Sequence, residues 1–193
     1  MTDLSAFTEL AYVAWAVIFF VWLAHSFGNK HTVKTPHLGE QILVLSLMFI
    51  GFGLVFNQRH IPGVLGEQLF YPGAQSGILG TMFSFVGAAF AVWARFTLGK
   101  NWSGATVTIK KDHKLIETGP YFYVRHPIYS GFLTAAIGTA FTVGTLAIFL
   151  SVPFLLGAFL IRIRREEEML TAQFPGEYPG YITRTKALVP YLF

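Results

Sequence analysis

Two short clusters of polar residues flank the last long apolar stretch of this 193-residue chain. Arg125, His126 and Pro127 come directly before the stretch, and a charged run from Arg162 to Glu168 follows it. Arginine binds carboxylates, histidine exchanges protons near neutral pH, and a carboxylate pairs with a cationic group. We therefore expect a site for a zwitterionic or cationic small molecule. We expect no metal, because no two histidines share a ligand spacing.

Each cluster also has a purely structural interpretation. Arg162 and Glu166 are four residues apart, so they share a helical face and can pair as part of a solvated helix end. Arg125 could extend its charge from the membrane interface toward water, and Pro127 is favoured at the first position of a helix. Arg95 is one turn from the end of an earlier apolar segment, where an unpartnered charge is costly. It is therefore a further functional candidate.

Membrane-spanning helices are the elements that must position these residues. Hydrophobic residues make up 53% of the chain and charged residues 12%, whereas soluble domains carry about 25% charged residues. Apolar segments of spanning length cover residues 8–27, 39–56, 76–98, 127–143 and 146–163, each to within a few positions. The sequence thus predicts an all-α membrane protein with five transmembrane helices in one domain, residues 1–193. The last two helices form a hairpin, and residues 164–193 form a cytosolic cap.

The hairpin is inferred from turn residues and from charge. Residues 128–161 are long for one span and short for two, but Gly144 and its small neighbours permit a tight turn. With five spans and the N-terminus outside, nearly all of the 14 Lys and Arg residues fall on the inner side, as the positive-inside rule requires. Four spans would put the later basic blocks on opposite faces. The net charge of +4 therefore indicates orientation, and we expect no nucleic-acid partner.

The two polar clusters, joined by this hairpin, resemble a known family. The pattern Arg-His-Pro-x-Tyr-x-Gly lies at residues 125–131, and Glu-Glu-x-x-Leu follows the hairpin at residues 166–170. The pattern continues toward the C-terminus with Phe174, Glu177-Tyr178, Tyr181 and Pro190. In this combination the chain resembles the isoprenylcysteine carboxyl methyltransferases, including their archaeal and bacterial integral membrane relatives. The resemblance covers roughly the C-terminal half. The first three spans match the family only as apolar segments and not by motif.

The resemblance implies methyl transfer from S-adenosyl-L-methionine, bound in a cytosol-facing pocket, to a lipophilic or prenylated acceptor that arrives through the bilayer. The most direct form is O-methylation of a prenylcysteine-like carboxylate. The implied cofactor-binding residues are Thr106, His113, Lys114, Leu115, Ile116, Tyr121, His126, Pro127, Ile128, Tyr129, Glu166 and Glu167. The candidates for a catalytic role are Arg162, Arg95 and His126, with one of the arginines holding the acceptor carboxylate or that of the cofactor.

The chemistry of the acceptor leaves several alternatives open. A carboxylate with a pKa near 4 is already ionised at neutral pH, so His126 would position groups without acting as a base. A phospholipid amine would need a base, and His126 would be the first candidate for an N-methyltransferase. A sterol-type NADPH reductase and a non-catalytic membrane protein are further alternatives. The membrane would be the cell membrane in a prokaryote and the endoplasmic reticulum in a eukaryote, and the oligomeric state stays open.

Overall fold

The computed structural model describes residues 4–25, 38–99 and 115–192. Five long helices account for most of these residues: α1 (Leu4–Ala24), α2 (Leu38–Phe56), α3 (Ala74–Leu98), α4 (Pro127–Val143) and α5 (Leu146–Gln173). A short helix, α6 (Tyr178–Arg184), and 3-10 turns at Gln58–His60, Gly63–Gly66 and Gly119–Phe122 complete the described elements. Within these ranges the chain forms isolated β-bridges but no strand.

The helices have the length and surface of membrane-spanning segments. Helices α1, α2, α3 and α5 are each long and apolar enough to cross a bilayer, and α4 is a shorter apolar helix of 17 residues. Large apolar side chains point outward, as at Phe20 and Phe49, which are 72% and 81% exposed. Such surfaces are stable against lipid and unfavourable in water. The predicted all-α membrane fold with five helices is therefore confirmed.

Helices α3 and α4 pack closely because small residues face each other along their interface. A Cβ atom added at Gly87 would lie 2.5 Å from the backbone nitrogen of Ala135, and one added at Gly138 would lie 2.5 Å from that of Ser84. Glycine at these positions lets the two backbones approach, which is how helices commonly associate in membranes. The α3–α4 pair is thus a rigid support for the start of α4.

The turn between α4 and α5 is the tight hairpin that the sequence predicts. Gly144 ends α4 in the left-handed conformation at φ 78°, which glycine adopts without steric cost. The 57–75 loop fixes this turn, because Leu69 N–H donates to the Gly144 carbonyl at 2.8 Å and Leu146 N–H donates to the Glu67 carbonyl at 2.9 Å. The hairpin therefore returns α5 to the end of the molecule where α4 begins.

Helix α5 continues ten residues beyond the predicted end of its span, to Gln173. Arg162 pairs with Glu166, and Arg164 pairs with Glu168, each at an (i, i+4) spacing that supports a helix. Arg, Glu, Met and Leu also have high helix propensity. The apolar segment ends near Ile163, but the helix continues. Glu166 and Glu167 therefore lie on the same continuous helix as the membrane span.

After α6 the chain passes over the start of α4, and we call residues 185–188 the C-terminal strap. Arg125 N–H donates to the Lys186 carbonyl at 2.8 Å, and His126 N–H donates to the Ala187 carbonyl at 3.0 Å. Ser130 Oγ donates to the Leu188 carbonyl at 2.6 Å. The strap thus fixes the backbone of the Arg-His-Pro motif where α4 begins.

Candidate active site

The start of α4 and the polar end of α5 meet in a buried carboxylate cluster, which consists of His126, Tyr129, Arg162, Glu166 and Glu167. Tyr129 donates its hydroxyl proton to Glu166 Oε1 at 2.5 Å, and Arg162 Nη2 lies 3.4 Å from the same oxygen. Arg162 Nε donates to the Tyr129 hydroxyl oxygen at 2.8 Å. The predicted pairing of Arg162 with Glu166 is confirmed, and Tyr129 completes a closed triangle of hydrogen bonds.

His126 bridges the two glutamates. Its Nδ1 lies 3.3 Å from Glu166 Oε2, and its Nε2 lies 3.1 Å from Glu167 Oε1. Burial alone lowers the pKa of His126, but the hydrogen bonds to Glu166 and Glu167 outweigh it and raise the pKa above its ordinary value. The imidazole therefore keeps its proton to a higher pH than a free histidine, with both ring nitrogens donating.

Arg125 holds the other side of Glu167. Its Nε donates to Glu167 Oε1 at 2.7 Å, and its Nη1 donates to the Thr185 carbonyl of the C-terminal strap. A guanidinium presents several donors in a fixed plane, so it can bind both partners at once. The sequence places Arg125 in the motif at the expected site but predicts no cofactor-binding or catalytic role for it. Its position next to His126 in the motif was the only signal, and nothing local indicates a partner sixty residues away.

Aromatic rings form the apolar wall of the cluster. The His126 ring stacks on Tyr129 with centroids 5.8 Å apart, and Tyr129 stacks on Phe159 at 4.7 Å. The guanidinium carbon of Arg162 lies 5.8 Å from the centroid of the Tyr129 ring. Because ring faces attract cations, the Tyr129 ring helps to hold the Arg162 guanidinium in the cluster.

Two further tyrosines lie close to the carboxylates. Burial and the charge of Glu166 raise the pKa of Tyr121, whose carbonyl accepts a hydrogen bond from Tyr181 Oη at 2.5 Å. Tyr178 is 1% exposed, and its hydroxyl has no hydrogen-bond partner among the residues that the structure describes. Buried hydroxyls normally have a partner. The Tyr178 hydroxyl is therefore a donor available to a ligand, although the residue was predicted only as part of the family pattern and not as a site residue.

Arg95 lies at a different junction, between the ends of two helices. Its Nη1 donates to the Gly99 carbonyl at 2.8 Å and its Nη2 to the His25 carbonyl at 3.0 Å. Gly99 caps α3, and His25 directly follows α1, so Arg95 satisfies carbonyls that helix ends leave open. The charge of Arg95 lowers the pKa of Tyr121, although burial and Glu166 raise it overall. Arg95 therefore lies outside the carboxylate cluster, whose arginine is Arg162.

The remaining predicted cofactor-binding residues divide into two groups. Pro127 and Ile128 are buried in the first turn of α4, while Leu115 and Ile116 are half-buried just before the 3-10 turn at Gly119–Phe122. The other three predicted residues, Thr106, His113 and Lys114, lie outside the described residues. Within the described ranges, no group of three His, Asp or Glu side chains is arranged to hold a metal ion.

The fold and the cluster define a polytopic α-helical membrane protein with a charged, buried site at one end of a helical hairpin. Residues 79–172 match the family described as "Isoprenylcysteine carboxyl methyltransferase (ICMT) family". This match includes α4, most of α5 and the whole carboxylate cluster. Over these residues the chain is similar to this family, and the resemblance inferred from its motifs is confirmed.

Individual relatives agree with the family. The chain is 33% identical over 117 residues to protein-S-isoprenylcysteine O-methyltransferase of Saccharomyces cerevisiae, which covers 60% of this chain and 49% of that protein. It is 36% identical over 98 residues to nickel-cobalt-cadmium resistance protein NccN of Alcaligenes xylosoxydans xylosoxydans, covering 50% of this chain and 45% of that protein. The chain therefore spans about half the length of the first curated relatives that it matches.

A more distant relative aligns almost end to end. The chain is 27% identical over 202 aligned positions to protein-S-isoprenylcysteine O-methyltransferase B of Arabidopsis thaliana, covering 97% of this chain and 96% of that protein. The likeness in this case includes the first three helices as well as the hairpin.

Proposed function

We propose that this protein transfers a methyl group from S-adenosyl-L-methionine to the carboxylate of a prenylated cysteine or a closely similar lipophilic acid. The observation that carries the proposal is the buried carboxylate cluster, formed at one end of a membrane hairpin by residues that belong to the ICMT family match. Two relatives of the chain are named as isoprenylcysteine O-methyltransferases, which supports this class of acceptor.

The described residues have the chemistry that such a cofactor requires. S-adenosylmethionine carries an ammonium, a carboxylate and a cationic sulfur. Glu166 and Glu167 are suited to the ammonium, and the ring of Tyr121 is suited to the sulfur. The buried Tyr178 hydroxyl, which has no described partner, offers a further donor. The charged and aromatic groups therefore fit the cofactor.

Other contacts to the cofactor are proposed from the family resemblance. Leu115, Ile116, Pro127 and Ile128 supply apolar surface beside the cluster. Thr106, His113 and Lys114 are proposed to complete the pocket. This arrangement would surround the adenosine part with apolar and polar groups and leave the charged part to the carboxylate cluster.

When bound, S-adenosylmethionine would supply a methyl group activated by a positive sulfur, and transfer to a carboxylate oxygen neutralises both charges. The task of the chain is to hold the acceptor and keep water out, since desolvation favours a reaction that consumes charge. Arg162 is 6% exposed and lies on the polar part of α5, so we assign it to the acceptor carboxylate. The carbonyl contacts of Arg95 support a structural role for that residue instead.

His126 is proposed to position the two glutamates. A carboxylate acceptor is ionised at neutral pH, so no residue has to remove a proton. An amine acceptor would need a base, but both ring nitrogens of His126 face glutamate oxygens and hold protons there. This contact pattern favours O-methylation over methylation of a phospholipid amine.

The orientation in the membrane is proposed from the positive-inside rule. Among the described residues, six cations lie at or beyond the polar end of the hairpin, namely Arg125, Arg162, Arg164, Arg165, Arg184 and Lys186. We propose that this end, with the cap over residues 164–193, faces the cytosol and that the N-terminus lies outside. The acceptor would then reach the cluster from the inner leaflet.

Binding of the reaction product S-adenosylhomocysteine to detergent-purified protein tests the cofactor assignment. We expect thermal stabilisation that Glu166→Gln weakens by one to two orders of magnitude in affinity, since a charge-assisted bond contributes about 1.5–3 kcal/mol. Glu168→Gln is the matched control, because Glu168 lies on the same helix but is exposed and pairs with Arg165 at the surface. Stabilisation by NADPH instead of S-adenosylhomocysteine would contradict the proposal and favour a reductase.

A further inference from the structure

A cleft beside the carboxylate cluster has Arg125 and Glu167 in its lining. This cleft, of about 790 Å³, lies between α5 and the C-terminal strap. Its volume is within the range of about 300–1,000 Å³ that is typical of small-molecule sites. Arg162 and Glu166 are not among its lining residues. The cleft therefore adjoins the site assigned to methyl transfer and shares Glu167 with it.

Part of the cleft lining is apolar and lies where the last apolar segment of the sequence ends. Leu160 and Ile163 line it from the apolar part of α5, and Leu192 lines it from the C-terminal segment. The hydrogen bond from Ser130, in the first turn of α4, to the Leu188 carbonyl fixes this segment where the helices leave the bilayer. Exposed apolar and aromatic side chains are typical of that level.

The lining of the cleft also carries accessible positive charge. The Arg164 side chain is 83% exposed and pairs with Glu168 at 3.3 Å, an arrangement that contributes little at a surface. Lys186 is exposed and forms no ion pair with any residue in the described parts of the chain. These two side chains can therefore contact an anion that approaches from the headgroup region.

We propose that this cleft binds an anionic glycerophospholipid. Its phosphate contacts Arg164 and Lys186, and one acyl chain lies along Leu160, Ile163 and Leu192. The apolar wall distinguishes such a ligand from free phosphate. Glu167 and Glu168 also line the cleft and pair with Arg125 and Arg164, so Lys186 adds the positive charge that distinguishes an anionic from a zwitterionic lipid. The proposal concerns lipid binding alone and does not depend on methyl transfer.

Bound lipid would also affect the neighbouring site. The carbonyl groups of Lys186 and Ala187 accept hydrogen bonds from the backbone N–H groups of Arg125 and His126. A ligand that holds Lys186 and Leu192 against α5 therefore holds the C-terminal strap in place over the Arg-His-Pro motif. Anionic lipid would stabilise the folded strap.

The test is a titration of detergent-purified protein with phosphatidylglycerol, with phosphatidylcholine of the same acyl chains, and with inorganic phosphate, recording the unfolding midpoint. We expect a saturable rise with phosphatidylglycerol, at least tenfold tighter than with phosphatidylcholine, and no rise with phosphate. One basic residue near anionic lipid is worth about fivefold in affinity. Arg164→Gln and Lys186→Gln should each weaken phosphatidylglycerol binding by about that factor, and the double variant by more than tenfold.

Arg184→Gln is the matched control, because it removes one exposed cation that pairs with Glu117 and does not line the cleft. It should keep the full preference for phosphatidylglycerol. For each variant the shift in unfolding midpoint is compared between the two lipids, so a general loss of stability does not affect the comparison. The proposal would be overturned by equal affinity for the two lipids, or by a response to phosphate equal to that to phosphatidylglycerol. It would also be overturned if the double variant kept its preference for phosphatidylglycerol, or if Arg184→Gln lost as much affinity as the cleft variants.

Discussion

Replacing Arg125 by glutamine should release the C-terminal strap without unfolding the helices. Arg125 binds Glu167 at 2.7 Å and the Thr185 carbonyl, and both contacts involve a charged donor. Each such bond contributes about 1.5–3 kcal/mol. Glutamine is shorter and neutral, so it retains at most a weak contact to one partner. We expect the strap to lose about 2–3 kcal/mol of local stability.

Hydrogen–deuterium exchange measures this loss directly. The His126 amide is protected by its bond to the Ala187 carbonyl in the strap, so it exchanges only when the strap opens. A loss of 2–3 kcal/mol corresponds to about 30- to 150-fold faster exchange, because 1.4 kcal/mol is a factor of ten. Amides in the middle of α4 should be unaffected, since their partners lie within the helix.

Two further variants provide a negative control and a variant of intermediate effect for this experiment. Arg164→Gln removes an arginine from the same end of the molecule, but its side chain is 83% exposed and it should leave the exchange of the His126 amide unchanged. Arg125→Lys keeps the charge but cannot reach both partners, so its effect should be intermediate. Unchanged exchange in Arg125→Gln would refute the assignment of Arg125 as the residue that fixes the strap.

Three other changes should have measurable effects. His126→Asn should lower the free energy of unfolding most below about pH 6.5, the ordinary pKa of histidine. The difference from the wild type should shrink as pH rises through the raised pKa of His126. Thermal unfolding across pH checks this, and a difference that grows with pH would contradict it. Gly144→Ala should cost at least about 1–2 kcal/mol in unfolding free energy because of its positive φ, with added strain since a Cβ atom would lie 2.3 Å from the Phe70 carbonyl oxygen; an unchanged midpoint would exclude this. Tyr129→Phe keeps the stacked ring but loses the hydroxyl that donates to Glu166. The affinity for S-adenosylhomocysteine should therefore fall about tenfold in a binding titration. Unchanged affinity would show that the hydroxyl plays no part in binding.

The fold was largely predictable because its determinants are local. Apolar segments of spanning length locate the helices, Gly144 locates the hairpin turn, and the (i, i+4) spacing of Arg162 and Glu166 predicts their pairing. The end of α5 was not predictable from hydropathy, because hydropathy reports where lipid contact ends and not where the helix ends. Charged residues with high helix propensity continue α5 to Gln173.

The candidate site was only partly predictable because several of its contacts join distant parts of the chain. The strap pairs Val124 with Lys186, and no local pattern indicates this pairing. The same is true of Arg125, whose partners lie on α5 and in the strap, and of Arg95, whose carbonyl partners end α1 and α3. The roles of Thr106, His113 and Lys114 rest on resemblance and stay predictions.

Transfer of a labelled methyl group tests the central claim most directly. The purified protein would receive methyl-labelled S-adenosylmethionine and a farnesylated cysteine derivative, and the lipid product would then be treated with base. A methyl ester releases volatile labelled methanol under base, whereas an N-methyl group does not. We predict base-labile label from the wild type and from Glu168→Gln, and little from Glu166→Gln or Arg162→Ala. Absence of label with the wild type, or label that is stable to base, would contradict O-methylation at this site.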